Sequence, residues 1–494
     1  MIDFSGVIGA LELLSSSYTP WLVVFPGLLI GLIAGATPGF QVSMAMAIVL
    51  PFTFSLDFLS SILFLTAIFT GGGYGASIPA ILMNIPGSSS AVASAFDGYP
   101  MTKKGKYNHA LGLALGASCI GAAISYIILF LLISPVSIAV LKLGPSELFV
   151  VTLWGISLIA LLSSDNLLKG LFAGGLGLLI GTVGMSATGA IRGTFGLAEL
   201  LDGVPVIPAM IGLFAVSELF SILHQSHIVA DDGRQDVKRS DILRGFFDVW
   251  SYPKIVLRGS LIGSLIGAVP GIGSSVSNLV SYAETKRRDP DPSSFGKGNP
   301  KGVIAAEAAN SSSEGGSMVT LLALGIPGGG GTAVLLAAFN VHNITGGPRF
   351  IMENTHIVYA IVLSNFAQVI LLFVLGLMFI RLISLVVKIP IKFLVPTILV
   401  CCVFGSYGVT GDIIGPIIVL AFGVLGWLMR LNGFPVAATV IGILLGRMAE
   451  GELMRSFQIS GGEIEYFISR PITIVFLVAL LLSLFGGRVL RQLR

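Results

Sequence analysis

Gly31-Leu32-Ile33-Ala34-Gly35-Ala36-Thr37-Pro38-Gly39 and Gly263-Ser264-Leu265-Ile266-Gly267-Ala268-Val269-Pro270-Gly271 write one pattern, Gly-x3-Gly-x2-Pro-Gly, once in each half of the chain. Each copy is an apolar stretch interrupted by a residue that cannot donate a backbone hydrogen bond, followed by one that tolerates positive φ. Three further matches follow in the same order. Ile85-Pro86-Gly87 pairs with Ile326-Pro327-Gly328, Gly170 and Gly181 pair with Gly415 and Gly426, and Pro205-Val206-x4-Ile211-Gly212 pairs with Pro435-Val436-x4-Ile441-Gly442. One such match is noise in a chain with 63 Gly; four in register indicate a duplication.

The surroundings of these motifs are membrane sequence. Of 494 residues 54% are hydrophobic and 11% charged, with a mean hydropathy of +0.94, against about 25% charged in an ordinary soluble domain. This excludes a water-soluble, disordered or nucleic-acid-binding chain and predicts an all-α polytopic membrane protein in a lipid bilayer. Net charge is +3, too little to mark a polyanion partner, and no nucleic acid is expected. Cys119, Cys401 and Cys402 sit in apolar runs without metal-ligand spacing and read as packing residues. The first Lys is Lys103, so the start lacks a basic signal-peptide region and the first apolar segment is expected to be retained.

Apolar segments capable of crossing or re-entering a bilayer fall at 20–36, 39–56, 58–72, 75–98, 109–133, 146–163, 167–190 and 203–224, then at 256–269, 271–282, 302–325, 328–341, 355–384, 393–408, 411–429, 433–449 and 471–487. The organisation expected is an N-terminal interfacial segment (1–19, with Asp3 and Glu12 on its polar side), a first membrane repeat (20–224), a cytoplasmic linker (225–255), a second membrane repeat (256–450) and a C-terminal helix with a cytoplasmic tail (451–494). Lys/Arg placement gives the copies opposite orientation. Lys286-Arg287-Arg288, Lys297 and Lys301 follow the second Pro-Gly motif while 52–58 after the first has none; Lys103-Lys104 and Lys106 follow the first Ile-Pro-Gly while the matching 343–350 has only Arg349. The same scheme puts 225–258, the Arg381/Lys388/Lys392 turn and the Arg488/Arg491/Arg494 tail in the cytoplasm, with Arg447, Arg455 and Arg470 dissenting on the outside.

Gly/Pro-interrupted apolar segments at matching places in two copies point to the binding site of an inverted-repeat secondary transporter. At the Pro-Gly motifs, Pro38, Gly39, Pro270 and Gly271 (with Gly273 and Ser274 just beyond) form either the tip of a re-entrant hairpin or the kink of a spanning pair packed on Gly. At the Ile-Pro-Gly motifs, Asn84, Pro86, Gly87, Ser88, Ser89, and Pro327, Gly328, Gly329, Gly330 place a small polar break inside apolar sequence. Beyond such a break a helix N-terminus offers free N–H groups and a positive dipole end to a carboxylate; as a surface loop the same residues need no function. Upstream of the second break, Glu307, Asn310, Ser311 and Glu314 lie in apolar sequence. With Asn84 they are candidate ligands of a coupling cation, or Glu307 sits at the interface near Lys301. Na⁺ is a possible metal and H⁺ the alternative coupling ion; no cofactor is expected. Asp97, Glu147, Arg192, Glu218 and Asp412 lie at segment ends, where snorkelling or loop exposure accounts for most of them, and His224 with His227, three apart, is either a metal-binding pair on a helix or, as is commoner at a cytoplasmic helix end, a solvated one. No Gly-x4-Gly-Lys-Ser/Thr, His-Glu-x2-His or Gly-x-Ser-x-Gly occurs, so no enzyme activity is expected.

These residues resemble the large membrane subunit of the tripartite tricarboxylate transporters, the TctA family. The resemblance is carried by Pro26-Gly27-x3-Gly31-x3-Gly35-x2-Pro38-Gly39, by Tyr74-Gly75-Ala76-Ser77-Ile78-Pro79-Ala80-Ile81-Leu82-x-Asn84-Ile85-Pro86-Gly87 and by Asp97-Gly98-Tyr99-Pro100. In the second half it continues through the Gly263–Gly271 motif, Ala306-Glu307-Ala308-Ala309-Asn310 and Leu324-Gly325-Ile326-Pro327-Gly328. It implies the translocating subunit of a bacterial inner (cytoplasmic) membrane symporter, multi-pass, working with a small four-helix membrane subunit and a periplasmic substrate-binding protein to take up a small di- or tricarboxylate on a Na⁺ or H⁺ gradient. It also implies a likeness to the ion-transporter superfamily, with inverted repeats, re-entrant hairpins, interrupted helices and elevator-type alternating access. Within that family Ser88 to Ser90 is a stretch of variable composition, and a second break without Arg implies charge neutralisation by N–H groups and cations. The competing expectation is a passive anion channel or a structural membrane scaffold.

Overall fold

The computed structural model describes residues 3–37, 40–162, 166–186, 189–222, 238–270, 273–386 and 391–492. Pro38, Gly39, Gly271, His224, His227 and Lys388 lie outside the described residues. In the first half run α1 Phe4–Ser16, α2 Thr19–Ala36, α3 Val42–Val49, α4 Phe58–Gly75, α5 Ser77–Met83, α6 Val92–Lys103, α7 Tyr107–Val140, α8 Pro145–Leu162 and α9 Leu167–Gly181, then α10 Val206–Met210, a π-helical stretch Ile211–Val216 and α11 Ser217–Ile222. The linker contributes α12 Arg239–Asp248. In the second half run α13 Pro253–Gly267, α14 Gly273–Arg288, α15 Pro300–Leu324, α16 Gly330–Val341, α17 Pro348–Glu353, α18 Thr355–Val386, α19 Ile391–Thr410, α20 Ile414–Leu431, α21 Val436–Ser460, α22 Tyr466–Ser469 and α23 Pro471–Gln492.

Helices account for nearly all of this; among the described residues the one sheet is a two-residue ladder, Gly184–Met185 against Ile191–Arg192. Thr19–Ala36, Phe58–Met83, Tyr107–Val140, Thr355–Ile380 and Ile414–Leu431 are long and apolar enough to cross a membrane. The chain is a multi-pass membrane protein.

Helix ends follow local backbone rules. α5 stops at Asn84, which takes the left-handed conformation at φ 58°, and α15 stops at Gly325 at φ 70°. In both, Ile-Pro-Gly comes next, and a proline two residues past a left-handed cap cannot resume the helix. The expected segment 75–98 is therefore two helices, α5 and α6, with a break between them. Within the expected polar linker, α12 packs along α7, with Gly112 and Gly116 against the carbonyls of Ile242 and Phe246, and His109 Nε2 meets Asp248 Oδ2 at 2.8 Å. Similarly, α1 is capped by the Asp3 carboxylate, which accepts from Ser5 and Gly6 N–H, and rests on α18 beside Tyr359.

The same packing occurs twice. α2 lies against α4 so closely that a Cβ on Gly31 would overlap the Ile68 carbonyl, and one on Gly35 the Gly72 carbonyl. α13 lies against α15 in the same way, Gly263 on the Ala309 carbonyl and Gly267 on that of Ser313. Small residues give membrane helices this approach where no hydrophobic force separates lipid from protein. Further along, the copies exchange partners: α9 of the first packs on α21 of the second, Gly181 against the Ile443 carbonyl, while α20 of the second packs on α10–α11 of the first, Gly426 against the Leu213 carbonyl. Reciprocal contacts of this kind are what a two-fold relation between two copies produces.

Candidate functional site

Described residues flanking all four interruptions converge. A cavity of about 480 Å³ is walled by Gln41–Ser43 just past the first Pro-Gly motif, by Ser88–Ser90, by Gly273–Val276 just past the second, and by Gly329–Gly331. That volume suits a small molecule. The pairing is crossed between the copies. Ser89 Oγ lies 2.6 Å from Ser275 Oγ, and Asn278 Nδ2 donates to the carbonyls of Ser90 and, at 3.4 Å, Ser89. On the other side Gly330 packs on Ser43. α14 and α16 both begin at the cavity with Gly273 and Gly330, so their first turns, with N–H groups that have no partner within their own helix, and their positive dipole ends lie at its wall.

Two carboxylates of α15, two turns apart, have different surroundings. Glu307 is fully buried away from the cavity in a cage of hydroxyls: Ser77 Oγ donates to Oε1 at 2.5 Å, Ser94 Oγ to the same oxygen, and Ser118 Oγ to Oε2 at 3.0 Å. Glu314 lines the cavity; Thr70 Oγ1 at 2.7 Å and Tyr126 OH at 2.6 Å both donate to Oε1, and among the described residues no protein donor reaches Oε2. Neither has a cationic partner among the described residues. Asn310 and Ser311 lie on the same wall, Asn310 Nδ2 donating to the Gly73 carbonyl at 3.1 Å. Carboxylate, amide and hydroxyl oxygens form a donor set that a hard monovalent cation accepts. Among the described residues no group of three His, Cys, Asp or Glu is placed to hold a metal ion.

Of the residues singled out from sequence, Ser88, Ser89, Gly273, Ser274, Gly329, Gly330, Asn310, Ser311 and Glu314 stand on this wall. Asn84, Pro86, Gly87, Pro270, Pro327, Gly328 and Glu307 do not. They shape it from behind: Asn84 terminates α5, Gly87 packs on the Gly35 carbonyl, and Gly328 packs on the carbonyl of Gly267. Pro38, Gly39 and Gly271 lie outside the described residues. Sequence reasoning missed Gln41, Ser43, Thr70, Phe214, Ser317, Phe434 and Arg430. Arg430 matters most, because it puts a cation on a wall expected to have none. The π-helical stretch carrying Phe214 has no single-residue signature that would have flagged it.

Three carboxylates expected at segment ends are instead held inside. Asp97 is fully buried; its Oδ1 accepts from the N–H groups of Gly296, Gly298 and Asn299 at 2.8–2.9 Å, and its Oδ2 from Tyr282 OH at 2.9 Å. It ties α6 to the turn before α15. Glu147 pairs with Arg470 Nε at 2.7 Å and Glu218 with Arg430 Nη1 at 2.6 Å. Short-range sequence shows the segment end but not the distant donor that makes burial tolerable.

The family model described as "Tripartite tricarboxylate transporter TctA family" matches residues 21–441. A protein of Agrobacterium vitis, described as an uncharacterized 52.8 kDa protein in the TAR-I ttuC' 3' region, is 32% identical over 463 residues, covering 92% of this chain and 91% of that one. A second from the same organism, an uncharacterized protein in the TAR-II ttuC' 3' region, is 31% identical over 210 residues, 42% of this chain and 87% of its own length. No solved structure matches.

Proposed function

Because the chain belongs to the tripartite tricarboxylate transporter TctA family, we propose that it is the translocating subunit of a cation-coupled importer of small di- and tricarboxylates. Membership itself makes it a membrane component of a tripartite transporter, not an enzyme, and implies a small membrane subunit and a binding protein as partners. Beyond that, the anion occupies the cavity between the four interruptions. The observation that carries this is their convergence on one small polar space, where serine hydroxyls and helix N-termini can solvate a carboxylate. Glu314, with Asn310 and Ser311, takes the coupling Na⁺ or H⁺. The hydroxyl-caged Glu307 positions α5, α6 and α7 around α15 and carries no ion of its own.

Transport proceeds by elevator-type alternating access between inverted copies in the bacterial inner membrane. The duplicated glycine packing and the crossed contacts of α9 and α20 support a two-fold relation, and the basic loops support opposite orientation. The lining is unequal between the copies, which fits alternating access: Phe434, Pro435, Val436 and Ala437 line the cavity, whereas their first-copy equivalents around Val204–Ile207 do not.

The test is uptake by proteoliposomes holding this chain and both partners. Saturable carboxylate entry that needs the binding protein and an imposed Na⁺ or pH gradient is expected. A Gly329→Val variant is expected to fold, since Gly329 is extended at φ −173° with its nearest neighbour, Gly273 Cα, 3.7 Å from an added Cβ, yet to lose uptake. Gradient-independent conductance of the anion would make the chain a passive channel, and absence of both would make it a scaffold.

A further inference from the structure

We propose that Arg430 receives a carboxylate of the transported anion, and that Glu218 positions its guanidinium and competes with the anion for it; this rests on the carboxylate-import reading above. Arg430 stands in the last turn of α20 with its side chain a quarter exposed, on the cavity wall with Phe214 and Phe434. Its Nη1 meets Glu218 Oε2 at 2.6 Å and its Nε donates to Ser217 Oγ at 3.1 Å. Both partners come from the first turn of α11, directly after the π-helical stretch. A guanidinium has five N–H donors in a planar fork. Among the described residues Nη2 has no protein partner, so part of the fork remains for an incoming carboxylate, the geometry Arg binds best.

Charge bookkeeping within a low-dielectric wall explains why Glu218 is there. A lone guanidinium in a largely buried position is costly, and Glu218 neutralises it while the cavity holds no anion. An arriving carboxylate then shares or takes over the cation. A purely structural ion pair between α11 and α20 would be best hidden from the cavity, and Arg430 is not. Nor is the cation part of the repeated scaffold. The match of Gly170 and Gly181 with Gly415 and Gly426, which pairs α9 with α20, aligns Arg430 with Met185, an apolar residue outside the cavity.

The experiment uses the complete transporter in proteoliposomes with labelled citrate, succinate and other C4–C6 carboxylates. If the wild type takes up none, the import reading falls and this inference with it. For one that enters, Arg430→Gln is expected to raise KM by roughly tenfold to a hundredfold, the worth of one charge-assisted hydrogen bond, with Arg430→Lys between it and the wild type. Glu218→Gln is expected to lower KM, because the competing carboxylate is gone. A structural pair predicts the same direction for both, so equal effects, or an unchanged KM in Arg430→Gln, overturn the proposal. Should Arg430→Gln not fold with Glu218 left unpaired, the double variant Arg430→Gln/Glu218→Gln carries the same KM test. In the wild type, phenylglyoxal modification mapped to Arg430 is expected to slow under saturating carboxylate, and no protection overturns the assignment.

Discussion

Phe58–Gly75 and Pro300–Leu324 hold the same place in their copies. Each supplies the carbonyls on which a Gly-x3-Gly helix packs, and each leads on to a left-handed cap and an Ile-Pro-Gly break. Their polar side chains differ. At cavity depth the first presents Thr70-Gly71-Gly72-Gly73, the second Asn310-Ser311-Ser312-Ser313-Glu314. The first copy gives hydroxyls, Thr70 to Glu314 and Ser77 to Glu307; the second gives the carboxylates that accept them. Packing is duplicated because it depends on backbone shape. Charge is not duplicated, since carboxylates facing each other across a dry interface would repel without enough solvent to screen them.

The largest expected effect tests the shared part. Gly35→Leu and its counterpart Gly267→Leu each drive a side chain into a helix backbone, so both should cost more than about 3 kcal/mol and yield no monodisperse peak in detergent. Tolerance of one but not the other would break the equivalence of the two packings. Next comes the unshared part. Glu307→Ala strips the acceptor from three buried hydroxyls, each costing about 1–3 kcal/mol if left unsatisfied, and should lower the melting temperature sharply. Glu314→Gln keeps its hydrogen-bond acceptor and should leave melting nearly unchanged while gradient-driven uptake collapses; wild-type uptake by this variant would remove Glu314 from the coupling role.

The smallest and sharpest change is at Gly73, which lines the cavity and whose added Cβ would meet nothing within 4 Å. Gly73→Ala should stabilise α4 by about 0.5–1 kcal/mol. Gly73→Glu moves a carboxylate to the first-copy wall, and in the Glu314→Gln background it should restore part of the uptake. If it restores none, the position of the carboxylate, and not only its presence, is what the second copy supplies.

Much of this architecture can be read from local sequence. Asn84 and Gly325 followed by Ile-Pro-Gly mark helix ends, and the observed α13, α15, α16 and α18 begin and end within three residues of the segments expected from apolar runs. The candidate site was legible where local sequence marks it: Ser88, Ser89, Gly273, Gly329 and Gly330 by the breaks they belong to, and Asn310, Ser311 and Glu314 by their polarity within apolar sequence. It was illegible where it consists of distant pairings. Nothing near Arg430 in sequence indicates Glu218, nothing near Glu307 indicates Ser77, Ser94 and Ser118, and Asp97 gives no hint of the N–H groups of Gly296, Gly298 and Asn299.

Residue order alone thus determined that this is a bundle of membrane helices with Gly/Pro breaks in two matching series, because transfer from water to lipid and the backbone limits of proline and glycine act over a few residues. Only the tertiary structure decided which polar groups face the cavity and which are sealed behind it. Glu307 and Glu314 share a helix face and a local composition, and what separates them is where α4, α5, α6 and α7 cross α15, a property of helix packing that no short stretch of sequence encodes.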